Sequence, residues 1–176
     1  MTEKERILDK IEKDTSRAVL FSESYGGSEN QLRFLFKYVP DEYFRGINLI
    51  LNNASSDLID KDKINILWMQ HFVNQQEAKN LGSKEFVDQL DYIVFNSHWN
   101  FEKFQYQFKI PENKSIVIKN AIEKVEYREK TKEKINLIYH STPWRGLEVL
   151  LEVFKRINYK NVELNVCSSA SIYGKK

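Results

Sequence analysis

Two glycine-containing loops in this sequence have the makings of an anion site. Phe21-Ser-Glu-Ser-Tyr-Gly-Gly-Ser-Glu29 and His140-Ser-Thr-Pro-Trp-Arg-Gly146 each follow an apolar run, and each leads into a helical pattern. A strand that enters a helix through such a turn leaves unpaired backbone N–H groups and the positive end of the helix dipole facing one space, which favours an anionic ligand. Gly26 and Gly27 let the backbone come close to that ligand. Neither loop has the full G-x-G-x-x-G or Walker pattern, and each by itself also fits a tight structural turn. Together they point to a ligand held in a cleft between α/β domains, at the carboxyl ends of strands.

The other residues able to do chemistry are few. On pattern alone His71, at the end of an apolar run, reads as a hydrogen-bonded structural histidine, and His98 and His140 read the same way. No His/Cys group has metal-ligand spacing, so no metal site is expected. Asp60-Lys-Asp62 looks like a D-x-D triplet that holds a divalent cation and a diphosphate, but it lies among Asp57, Lys61 and Lys63, where a solvated turn is the simpler reading. Cys167 follows an apolar strand and reads as an inert buried thiol. Trp68, Trp99, Phe34 and Phe36 read as core, whereas Trp144 suits either packing or stacking on a ligand. With no Ser-His-Asp set and no G-x-S-x-G, a hydrolase has no support.

The elements that must position these residues are legible as apolar runs. Ala18 to Ser22, Ile47 to Leu51, Ile64 to Trp68, Tyr92 to Phe95 and Ser115 to Ile118 have strand length. Helices are predicted after Ser28, where Gln31 completes a capping box and Pro40 stops the run, over Ala78 to Leu90, and over Phe101 to Phe108. Continuous apolar runs separated by helices predict parallel strands buried on both faces. The fold class is therefore α/β, a Rossmann-like doubly wound parallel sheet. Residues 122–134 hold nine charged side chains in thirteen and read as a linker. Beyond it Ile135 to Tyr139, a helix through Leu147, Leu150, Leu151 and Phe154, and Val162 to Val166 form a βαβ unit, with Thr142 as N-cap and Pro143 as first helical residue. The predicted domains are 1–121, the linker 122–134, and an incomplete second Rossmann-like unit at 135–176. Within the first of these, residues 1–17 carry ten charges, with Ile7, Leu8 and Ile11 at helical spacing, and read as a solvated surface helix.

Composition narrows the function classes. The 176 residues carry 27 basic and 25 acidic side chains, a net charge of +2, which gives no electrostatic case for nucleic-acid binding. Eleven Phe, nine Tyr and three Trp supply a real core, and no apolar run approaches the roughly 18 residues of a membrane span. One cysteine and a charged N-terminus without the apolar segment of a signal peptide make a reducing cytoplasm the expected compartment.

Taken in order, the first loop through Glu29, Ile66-Leu-Trp-Met-Gln-His71, Ile93-Val-Phe-Asn-Ser-His-Trp99, Ile116-Val-Ile-Lys-Asn-Ala-Ile-Glu123 and His140-Ser-Thr-Pro-Trp-Arg-Gly-Leu-Glu-Val-Leu-Leu151 resemble the large group of retaining glycosyltransferases with the GT-B fold. The resemblance implies metal-independent transfer of a sugar from a nucleotide-diphosphate donor to a glycan or other acceptor. No cofactor is implied, since the nucleotide-sugar is a substrate. It places Gly26 and Gly27 beside the donor phosphates, and Arg145 with Gly146 where a guanidinium stabilises the departing diphosphate. It also puts His71 near the transferred sugar as the catalytic residue, and Glu29 and Asn120 at substrate-contact positions. The chain departs from the family in having Asn120-Ala121 for Asn-Gly, in lacking an earlier second-domain Arg, and in ending before the family's paired glutamates. Residues 135–176 number only 42, so that unit is expected to lean on the first lobe, on a partner, or on sequence beyond Lys176. An unfinished parallel sheet also exposes an edge open to self-association. The alternative function is a non-catalytic module that binds a glycan or a partner on a truncated GT-B scaffold.

Overall fold

The computed structural model describes residues 26–130 and 133–169. They divide into two compact units, Gly27–Ile122, and the residues from Glu123 onward together with Gly26. The predicted surface helix at 1–17 and the strand Ala18 to Ser22 lie outside the described residues.

The first unit is an α/β layer structure. Helix α1 (Gly27–Tyr38) precedes strands β1 (Ile47–Leu51), β2 (Ile64–Met69), β3 (Tyr92–Phe95) and β4 (Ser115–Val117), all parallel and in the order β1-β2-β3-β4. The register pairs Leu51 with Trp68, Met69 with Phe95, and Phe95 with Val117. Side chains alternate faces along a strand, so an uninterrupted apolar run supplies two cores. Leu49, Trp68 and Val94 pack under Leu32 of α1, while Ile50, Leu67, Met69, Ile93 and Phe95 face the larger core with Phe104 and Ile110. This is the Rossmann-like arrangement that the apolar runs predict.

The connections differ in detail from the sequence reading. In place of one helix over Ala78 to Leu90 there is a 3-10 stretch, Gln76–Gly82, and then a short helix α2 (Lys84–Val87). Gly82 ends the first turn, and the Ser83 hydroxyl caps the second by accepting from Phe86 N–H. Helix α3 (His98–Phe108) starts three residues earlier than expected, because Ser97 accepts from Asn100 N–H as its N-cap. It ends at Lys109 in the left-handed region, φ 56°. Lys114 then donates to the carbonyls of Val87, Asp88 and Leu90 at and just beyond the end of α2. The predicted capping box at Ser28 and Gln31 is not formed. Ser28 lies inside α1, and Gln31 uses its amide elsewhere, donating to Ala121 O (2.7 Å) and accepting from Ala121 N–H (3.0 Å).

Residues 121–130 are exposed and without regular structure. In the second unit β5 (Ile135–Tyr139) pairs in parallel with β6 (Val162–Val166) through helix α4 (Leu147–Lys155). None of these three elements contains a buried residue, and Ile135, Ile138, Val149 and Val153 are all more than half exposed. Polar contacts close the ends instead. Tyr139 donates to Thr142 O, Ser168 to Ser141 O, and Lys134 pairs with Glu163.

Four assignments need correction. Thr142 is not the N-cap of α4: residues 143–146 form a turn, with Arg145 N–H on Thr142 O, and Gly146 at φ 88° is the capping residue. Trp99 is not core but 56% exposed, because α3 starts early enough to carry it to the surface. Phe34 and Phe36 are only half-buried, and Phe36 packs on the rim of the smaller core. Cys167 is exposed, since β6 stops at Val166 with no covering layer.

Candidate functional site

Parallel strands all end at one edge, and there the first unit opens a cavity of about 320 Å³. Leu51 and Leu58 form its apolar wall, and Glu29, Asn52, Asn53, His71 and Glu77 supply its polar groups. Asn52 builds the local geometry. It follows β1 in the left-handed conformation, φ 58°, which asparagine tolerates better than most residues. Its side-chain oxygen accepts from Gln70 N–H (2.6 Å) and His71 N–H (3.2 Å), so the chain leaving β2 is held by the chain leaving β1. From the other side Asn100, buried in the first turn of α3, donates to the carbonyls of Met69 and His71.

His71 thus has a fixed backbone and a half-buried ring lining the cavity. Burial pushes its pKa below the ordinary histidine value, while the carboxylates of Glu77 and Glu29 pull it back up. Its buried Nδ1 has no hydrogen-bond partner among the described residues. An imidazole that shares a cavity with two carboxylates can hydrogen-bond and orient a hydroxyl placed there. Glu29 sits in the first turn of α1.

The predicted site residues fall into separate groups. Glu29 and His71 share the cavity. Gly27 is the exposed first residue of α1, and a Cβ there would meet nothing within 4 Å, so packing does not demand glycine and the backbone stays open to a ligand. Asn120 is exposed in the segment after β4, which Gln31 holds at Ala121. Ala121 takes part through its main chain, so this contact does not depend on its side chain. Gly26 is buried and groups with the second unit, to which Arg145 and Gly146 also belong. There Arg145 is exposed in the turn before α4, and only a residue at ease with φ 88° suits Gly146.

Asp60 and Asp62 precede β2, at the opposite edge of the sheet from His71. The Asp60 carboxylate binds Lys63 (3.0 Å) and accepts from Asp62 N–H (3.1 Å), and these contacts hold its pKa below the ordinary carboxylate value. The triplet is a turn built on its own side chains. Among the described residues no three His, Cys, Asp or Glu side chains are grouped to hold a metal ion, and no helix is long and apolar enough to cross a membrane.

Sequence reasoning missed Asn52, Asn53, Glu77 and Asn100. Asn52-Asn53 directly after an apolar strand is a recognisable signal for a left-handed turn. Nothing in the pattern marks Glu77 or Asn100, whose roles come from tertiary packing. No protein-family model matches this chain, and no curated protein matches it.

Proposed function

We propose that this chain acts in glycosyl transfer, moving a sugar from a nucleotide-diphosphate donor to an acceptor hydroxyl without a metal ion and with retained configuration. The observation that carries this reading is the half-buried His71 in a cavity at the carboxyl edge of a parallel sheet, a cavity that Glu29 and Glu77 also line. In the proposed step the bond from the anomeric carbon to the diphosphate oxygen breaks, and both electrons leave with the diphosphate. The acceptor oxygen bonds to the anomeric carbon and its proton passes to the departing diphosphate. His71 orients the acceptor hydroxyl and Arg145 balances the leaving charge. The motif order given above supports the donor class, and the exposed Arg145 before the glycine-capped helix α4 supports an anion at that turn.

A second reading, a non-catalytic module that binds a glycan or a partner, is favoured by the exposed apolar side chains of the second unit. Thermal-shift and product assays with UDP- and GDP-sugars separate the two. A transferase is stabilised by the donor and slowly releases nucleoside diphosphate, and Arg145→Ala abolishes both effects. Donor binding untouched by Arg145→Ala removes the assigned role, and stabilisation by glycans with no diphosphate released selects the module.

A further inference from the structure

Phe72 and Trp99 form an exposed aromatic pair at the same sheet edge as the cavity. Their rings stack at 5.6 Å between centroids with 16° between planes, and they remain 40% and 56% exposed. Lys103 stands 5.5 Å over the Trp99 ring. Burying such rings would add to stability, so their exposure calls for another explanation.

Both residues are held from behind. Phe72 lies between His71, pinned through Asn52 and Asn100, and Val73, which is buried in the larger core. Its carbonyl accepts from Gln75 N–H. Trp99 lies between the exposed His98 and the buried Asn100, whose side chain reaches the carbonyls of Met69 and His71. One asparagine therefore ties the helix turn carrying Trp99 to the chain carrying Phe72. A platform fixed before binding spares a ligand the cost of ordering it.

The surroundings select the class of ligand. From Gln70 to Glu77 the chain has no Lys or Arg, and Asn74, Gln75 and Gln76 are exposed beside Phe72. Lys103 does stand over Trp99, but a membrane or polyanion surface would call for a cluster of basic residues, and this stretch supplies none. Side-chain amides give donors and acceptors to neighbouring hydroxyls, and an aromatic face, negative over the ring, attracts the C–H bonds on one side of a pyranose. We infer that Phe72 and Trp99 are a sugar-binding platform, which seats a neutral pyranose ring of the acceptor beside His71. Its assignment to the acceptor rests on the transferase reading; its affinity for sugar does not.

The test uses the full chain and oligosaccharides built from glucose, mannose, galactose or N-acetylglucosamine, followed by NMR of the tryptophan indole N–H signals and by saturation transfer to the sugar. The Trp99 signal, assigned with Trp99→Phe, shifts on addition of at least one sugar series. Trp99→Ala and Phe72→Ala weaken that binding about tenfold, Trp99→Phe restores most of it, and Tyr106→Ala on the far end of α3 changes nothing. No shift at Trp99 with any series overturns the platform, as does Trp99-dependent binding to phospholipid vesicles or Trp99-dependent dimerisation in its place. Sugar binding at Trp99 with no transfer from any nucleotide-sugar sinks the transferase reading alone.

Discussion

The side chain of Gln31 and the backbone of Ala121, ninety positions apart, exchange two hydrogen bonds of 2.7 and 3.0 Å. This pairs an amide with an amide, as two strands would, and fastens the start of α1 to the segment that leaves β4. Gln31→Ala removes both bonds and Gln31→Glu keeps only the acceptor. Each variant is expected to lose ~1 kcal/mol of stability, because the contact is exposed and water replaces part of it. Hydrogen exchange at the Ala121 amide is the specific readout: it speeds up in Gln31→Ala and less so in Gln31→Glu. Unchanged exchange in both would mean that the pair does not persist in solution.

Asn52 has two duties that substitution can separate. Asn52→Gly keeps the left-handed backbone but leaves the N–H groups of Gln70 and His71 without their acceptor, at a cost of about 1–3 kcal/mol. Asn52→Ala loses the acceptor and adds backbone strain of roughly 1–2 kcal/mol. Denaturant melts should rank wild type above Asn52→Gly above Asn52→Ala, and an alanine variant as stable as the glycine variant would remove the strain argument.

His71 makes stability fall on acidification. Burial disfavours the imidazolium, so the folded-state pKa lies below the value of about 6.5 expected in the unfolded chain. Above that pH both states are neutral and the contribution is complete. Below it the unfolded chain takes up its proton first, and stability drops until the folded-state pKa is passed. The melting temperature of wild type should therefore decline more steeply below about pH 6.5 than that of His71→Gln. Glu29→Gln and Glu77→Gln, which remove the opposing charges, should widen the window downward. A folded-state pKa above that of the unfolded chain, read by NMR of the imidazole, would reverse the sign.

Lys109 closes α3 with φ 56° and ψ 42°, a conformation that glycine adopts without strain. Lys109→Gly should stabilise the protein by about 0.5–1 kcal/mol, visible as a raised melting temperature, provided the ring contact of Lys109 with Tyr106 contributes little. A destabilised Lys109→Gly would assign that cation–π contact the larger share.

Most of the first unit was legible because two-sided burial imposes continuous apolar runs: Ile47–Leu51 and Tyr92–Phe95 have the predicted bounds, and Ile64 to Trp68 needs only Met69 added. Helix starts were harder, because capping is settled by which polar side chain is free to fold back. Ser97 was free and moved α3 forward, while Gln31 was taken by a partner ninety residues away. Of the candidate site, His71 and Glu29 could be read as residues at a strand end and a helix start. The cavity they share could not, because Asn52 and Asn100 assemble it through contacts 19 and 29 residues long in sequence. Gly146 was legible for a different reason from the strands, a local backbone demand that few residue types meet.

The exposed thiol of Cys167 has a practical consequence. The chain contains a single cysteine and it lies at the surface of the second unit. Left in air, two molecules can couple through it, and the product will run as a reductant-sensitive doublet of the chain. The same thiol takes one maleimide dye per molecule, which reports on the second unit without any mutation.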